Sequence, residues 1–166
     1  MLGVQLWLNM PAMHKMSEPK YHGIMKEEIP VIGKGGAVVR VISGSYKGRT
    51  GATDGDFVKP LYLDVELKPN SEWEIETEST NTLFIYLLQG SAFCGPDNVK
   101  VSEKHAVLFN EGKRLVLTAG GDGVRFLLLS GKPLREHIAW GGPIVMNTQE
   151  ELMHAFKELD EDTFIK

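Results

Sequence analysis

A chain of 166 residues with 42% hydrophobic content can bury one sizeable core, so a single domain, or a domain with an arm, accounts for it. A formal charge of −4 and the absence of any long basic run (the densest is Lys47-Gly48-Arg49) exclude a surface built to hold nucleic-acid phosphates. The lone Cys94 excludes an intrachain disulfide, and Val4-Gln5-Leu6-Trp7-Leu8, with no basic flank and a stop at Asn9 and Pro11, is neither a signal peptide nor a membrane span, so a cytoplasmic protein is expected.

Residues 1–36 read as an arm or connector. Val4 to Leu8 is apolar enough for one strand. The polar remainder carries Pro11, Pro19, Pro30 and the Gly33/Gly35/Gly36 cluster, with too little apolar periodicity to fold alone. From 37 to 145 the pattern is one of short strands. Val38-Val39-Arg40-Val41-Ile42 is nearly continuous in apolar character, as a strand covered on both faces would be. The loop Gly44–Gly51 lacks the spacing of a phosphate loop and reads as a hairpin. Leu61, Leu63, Val65 and Leu67 alternate with polar or larger neighbours, and Trp73 and Ile75 alternate with Glu72, Glu74 and Glu76. Both are half-buried strands with one face in water. The runs 83–88, 106–109, 115–117 and 124–129 complete the set. Turn residues at 68–70, 89–91, 95–98, 110–112 and 120–123 separate them, which suggests a sandwich or small barrel. Residues 146–166 hold the one convincing helix. Thr148 and Glu151 form a capping box, and Leu152, Ala155, Phe156 and Leu159 form a stripe expected to dock on the barrel.

Few residues offer chemistry. His14, His22, His105, His137 and His154 are scattered, no two at i, i+2 or i, i+4, and a lone histidine is far more often a surface or core residue than a ligand. Glu74, Glu76 and Glu78 would share one strand face. They could hold a hard cation, but the alternation with Trp73 and Ile75 favours a face in solvent. His105, Glu76 and Glu78 are the candidates for a metal set. Arg40, Arg114 and Arg125 interrupt apolar strands and read as outward-facing, with Arg114 the candidate to hold a ligand carboxylate at the barrel mouth. Trp73 and Tyr86 are candidate walls of a small-molecule cavity, although core packing is the ordinary job of both. There is no G-x-S-x-G elbow, and Cys94 reads as a small buried residue.

Several motifs in order resemble one family. Gly3-Val4-Gln5-Leu6-Trp7-Leu8-Asn9-Met10-Pro11-Ala12 and Lys15-Met16-Ser17-Glu18-Pro19 are similar to the segment joining the two cupin halves of pirins. Val39-Arg40-Val41-Ile42-Ser43-Gly44, Phe84-Ile85-Tyr86-Leu87-Leu88-Gln89-Gly90 and Arg125–Leu134 resemble strands of the pirin C-terminal half, and Gly142–Thr148 with Glu150-Glu151 and Ala155-Phe156 resembles its terminal signature. The resemblance implies an all-β, cupin-type double-stranded β-helix, a jelly-roll barrel over 37–145. The arm precedes it, and the capped helix of 146–166 packs on it.

In pirins, iron or another transition metal sits on histidines and a glutamate of the N-terminal half, which precede the point matched by the start of this chain. The resemblance therefore implies the fold without that centre, and no cofactor is expected here. Within this half, the places of a cupin H-x-H pair, carboxylate and third histidine fall near Glu76-Thr77-Glu78, Leu83 and Leu115–Leu117, none of them histidine. The expected role is a binding or assembly module that self-associates or pairs with a separate metal-bearing cupin half. The alternative is a quercetin 2,3-dioxygenase-like oxygenase whose metal ligands come from elsewhere.

Overall fold

Twelve strands and one long helix form among residues 3–165, which are the residues described by the computed structural model. The ends of the arm and helix segments drawn above, Met1, Leu2 and Lys166, lie outside the described residues. The chain divides into two compact units, Ile24–Pro133 and Met1–Gly23 with Leu134–Lys166.

In the first unit, β1 (Val31–Lys34), β2 (Ala37–Ser43) and β5 (Leu61–Leu67) are followed by β6 (Glu72–Glu76), β7 (Thr82–Cys94), β8 (Val99–Ser102), β9 (Ala106–Phe109) and β10 (Arg114–Gly131). Between β2 and β5 lies the small hairpin β3 (Ser45–Tyr46) and β4 (Arg49–Thr50). Its two linking residues, Lys47 and Gly48, both have positive φ, the backbone that a tight two-residue hairpin requires.

The sheet is antiparallel in the order β1-β2-β5-β10-β7-β8, with β6 also on β10 and β9 also on β7. The long strands β7 and β10 each serve two sheet segments. The second half of β10 pairs with β5 and with the first half of β7, and the first half of β10 pairs with β6 and the end of β7.

Here two expectations are corrected. Gln89-Gly90-Ser91 and Gly120-Gly121-Asp122-Gly123 are not turns between strands but bends inside β7 and β10, where the register slips between the Ala119 and Val124 pairings. Gly90 and Gly123 face one another there with φ of 75° and 79°. A Cβ on Gly90 would stand 2.1 Å from the Gly123 carbonyl oxygen, so only a bare backbone fits the corner.

Alternation then fills the interior. Val39 and Val41, Leu63 and Val65, Ile85 and Leu87, and Phe126 and Leu128 point inward from one segment; Trp73, Ile75, Leu115 and Leu117 come from the other. Trp73 meets Phe126 edge to face at 5.7 Å between ring centres, and its Nε1 donates to Tyr46 Oη at 3.0 Å, so the one polar atom of the ring is satisfied inside the core. Each fully buried large side chain contributes about 1.5–3 kcal/mol.

In the second unit, β11 (Ala139–Gly141) and β12 (Ile144–Met146) form a hairpin, followed by α1 (Gln149–Asp160). Thr148 Oγ1 accepts from the Glu151 N–H at 3.1 Å and Glu151 Oε2 accepts from the Thr148 N–H at 3.0 Å, the reciprocal cap expected of these residues. Leu152 and Ala155 are buried with Ala139, Ile144 and Met146, and Phe156 packs beside them; Leu159, at the end of the stripe, is exposed. The one strand within residues 1–36 is β1, which joins the barrel sheet beside β2, and the strand expected at Val4 to Leu8 does not form. Val4 to Leu8 finds no neighbouring strand to hydrogen-bond, and Val4, Trp7 and Leu8 stay exposed. The arm's short 3-10 turn Ala12–His14 is pinned instead, with the Ala12 N–H donating to Glu136 Oε2 at 2.8 Å.

Candidate functional site

Where β6, β7, β9 and β10 end at one edge of the barrel, loops 77–81, 95–98 and 110–113 frame two adjoining cavities of about 580 and 770 Å3. They share the wall Thr77, Glu78, Asn81, Leu83 and Arg114. The wall is held by the loop itself: the Thr77 N–H donates to the Lys113 carbonyl at 2.9 Å, and Thr77 Oγ1 donates to the Gly112 carbonyl at 2.8 Å. On one side lie Phe93, Phe109 and Val116 with Asn98 and Asn110. On the other lie Leu61, Ile75, Leu128 and Ser130 with Lys59 and Lys113. Both volumes are of the size that small-molecule sites use.

The structure gathers the positions counted out for cupin ligands at this edge. Leu83 and Glu78 line both cavities, Glu76 lines the larger and Leu115 the smaller. The side chains there are the wrong ones for a transition metal. Leu83 and Leu115 offer no donor atom, and Glu74, Glu76 and Glu78 project into solvent while Trp73 and Ile75 face the core. His105 stands exposed between β8 and β9, its Nδ1 3.0 Å from the Glu103 carbonyl oxygen. Among the described residues no three His, Cys, Asp or Glu side chains form a metal-binding group, so His105, Glu76 and Glu78 are not brought together. The donor set does not fit the metal centres of cupins.

The ligand candidates separate. Trp73 is inside the core. Tyr86 is half-buried on the side of β7 opposite Ile85 and Leu87. Arg114 does stand at the cavity edge, in the shared wall, and its Nη1 lies 3.3 Å from Glu74 Oε2; both groups are exposed, so the pair holds the guanidinium only loosely.

One constellation escaped the sequence. Alternation along β5 places Asp64 on the face expected in water, yet it is only 7% exposed. Arg125 Nε and Nη2 donate to its two oxygens at 2.9 and 2.7 Å, and Arg40 Nη1 lies 3.7 Å away while Arg40 Nη2 reaches Glu66 at 3.3 Å. The hydrogen bonds that Arg125 donates to Asp64, opposed by partial burial, raise the Arg125 pKa. Burial first, and then the Asp64 charge, raise that of Tyr62. The available signal was the strand register: Arg40 lies opposite Asp64 across β2 and β5, and Arg125 opposite Glu66 across β10 and β5. Cys94 is buried, and burial pushes its thiol up to about 11, which keeps it protonated and unreactive at neutral pH. No helix among the described residues is long and apolar enough to cross a membrane.

A family model described as the Pirin C-terminal cupin domain matches residues 62–165. Human pirin is 38% identical over 157 residues, which cover 92% of this chain and 53% of that protein. A pirin-like protein of Caulobacter vibrioides is 36% identical over 166 residues, covering 99% of this chain and 59% of that one. Among solved structures, a quercetin 2,3-dioxygenase from Acinetobacter baumannii superimposes with a TM-score of 0.86 at 32% identity, over 95% of this chain and 55% of that one. The chain thus spans between half and two thirds of the length of these relatives.

Proposed function

The chain belongs to the pirin family, as its C-terminal cupin domain, and from that premise we propose that it works in the cytoplasm as a metal-free binding or assembly module, by self-association or by pairing with a separate metal-bearing cupin half. The observation that carries this reading is the apolar surface of the unit Met1–Gly23 with Leu134–Lys166. There Trp7, Met13, Ile138 and Trp140 are 59%, 84%, 67% and 69% exposed, and most of the large apolar side chains that the described residues leave in water belong to this smaller unit. The aliphatic character of Leu83 and Leu115, at the positions where a cupin would carry metal ligands, is consistent with a role that needs no metal in this half. Sedimentation velocity at low micromolar concentration is the test. A dimer, or a complex on mixing with the isolated first half of a longer pirin, is the expected result. A clean monomer that forms neither defeats the proposal.

A second reading is favoured by the likeness to a quercetin 2,3-dioxygenase: a metal-dependent oxygenase of that type, with ligands supplied from outside this barrel. Elemental analysis of protein purified without chelators separates the two. Less than about a tenth of an equivalent of Fe, Mn, Ni, Cu or Zn per chain removes the oxygenase.

A further inference from the structure

The smaller cavity has a chemistry of its own, set by side chains that no role above uses. We infer that it is a binding site for an uncharged, polyhydroxylated ring of the saccharide class. The site lies wholly within Ile24–Pro133, and the inference stands apart from self-association. Its apolar wall is aromatic and aliphatic, with Phe93 and Phe109 beside Leu83 and Val116; such a surface packs against the C–H face of a sugar ring.

Its polar groups are amides. Asn81, Asn98 and Asn110 line the cavity on three different loops, and none of their side chains hydrogen-bonds to another described residue. An amide donates and accepts at once, as does each hydroxyl of a vicinal diol, so the two match in pairs. The loops that carry the amides are fixed beforehand. Asn81 N donates to the Glu78 carbonyl at 3.0 Å, Asn98 N to the Gly95 carbonyl at 3.1 Å, and loop 110–113 is tied to Thr77 through the Gly112 and Lys113 carbonyls. With the backbone fixed before binding, only the amide side chains have to be ordered when the ligand arrives.

Charge excludes one class. Glu72, Glu78 and Glu111 line the same cavity without an ion-pair partner among the described residues, whereas the one cation, Arg114, is engaged by Glu74. An anionic ligand would meet net repulsion there. The cavity of about 580 Å3 lies within the range that small-molecule sites occupy.

The test uses the full chain, isotopically labelled, and a matched pair of probes: 4-nitrophenyl β-D-glucopyranoside, which is neutral, and the corresponding glucuronide, which places a carboxylate on the same ring. The neutral probe should shift the backbone signals of residues 81, 93, 98 and 110, and the glucuronide should bind at least about tenfold more weakly, a difference of about 1.4 kcal/mol. Asn110→Ala, at an exposed position, and Phe93→Ala should each weaken the glucoside by about tenfold while leaving the rest of the spectrum in place. Should Phe93→Ala fail to fold, Asn110→Ala decides alone. No shift up to about 10 mM glucoside, equal or tighter binding of the glucuronide, or unchanged affinity in Asn110→Ala overturns the inference.

Discussion

The two compact units of this chain hold together by different means. In Ile24–Pro133 two sheet segments close on a continuous apolar interior, in which Val41, Leu63, Ile85, Leu117 and Phe126 have no exposed surface. In Met1–Gly23 with Leu134–Lys166 the buried set is small, Ala139, Ile144, Met146, Leu152 and Ala155, and polar contacts do much of the holding. Glu136 accepts from the Ala12 N–H and from Asn147 Nδ2, and Thr148 and Glu151 cap the helix reciprocally. Around that small core several large apolar side chains remain in water. Packing therefore sets the stability of the barrel, while the terminal unit leans on hydrogen bonds and leaves large apolar side chains in water.

The packed interior is tested most directly at Phe126. Phe126→Ala should lower unfolding stability by about 3–5 kcal/mol, because the vacated space faces Trp73 and the barrel has no loose element to fill it. Urea denaturation measures this, and a loss under about 1 kcal/mol would mean that the interior is not close-packed. Asp64→Asn should cost about 2 kcal/mol, since it removes the charge that both Arg125 and Arg40 meet on a nearly buried oxygen pair. A double-mutant cycle with Arg125→Met isolates the bidentate contact, and additive losses would show that the pair contributes nothing of its own. Thr148→Ala, in the other unit, should cost about 1 kcal/mol. Hydrogen exchange should locate the change at the first turn of α1 and leave the β7 and β10 amides as they were; faster exchange in both would erase the distinction between the units.

Much of the barrel was legible because its strands are half-buried. The alternation of Leu61, Leu63, Val65 and Leu67, and of Trp73 and Ile75 with the glutamates, predicts both the strands and the faces that pack. The cap at Thr148 was equally plain. What alternation cannot convey is whether glycines end a strand or bend it. Gly90 and Gly123 look like turn residues, and only the close approach of one to the other's carbonyl shows that β7 and β10 run on past the corner. Nor can it convey what covers a polar face. Asp64 alternates as a solvent residue should, and its burial depends on two arginines 24 residues before and 61 after it in sequence. The hairpin of β11 and β12 was missed because three-residue strands carry too little pattern to register. At the candidate site, the places counted out for the family's metal ligands did converge on one cavity edge, but the amides of Asn81, Asn98 and Asn110 gave no signal, since loop residues meet only through the fold.

The smallest effect is expected at Cys94, and it is silent at neutral pH. Burial among Leu117 and its neighbours pushes the folded-state thiol from its ordinary value of 9.0 up to about 11. Below pH 9 both the folded and the unfolded thiol hold their proton, so the shift contributes nothing to the pH dependence. Between pH 9 and 11 the unfolded chain releases its proton while the folded chain keeps it, so stability falls as pH rises through that window. Tyr62, whose phenol is also raised, adds a loss of the same sign at higher pH, so the wild type alone cannot assign the slope. Comparing wild type with Cys94→Ala does assign it. Urea midpoints of the two should run parallel up to about pH 9 and converge above it, as the variant escapes the thiol's share of the loss. At pH 8 native Cys94 should resist iodoacetamide until the chain unfolds. Rapid alkylation of the native protein at pH 8 would place the sulfur in solvent and remove the cause given for its shift.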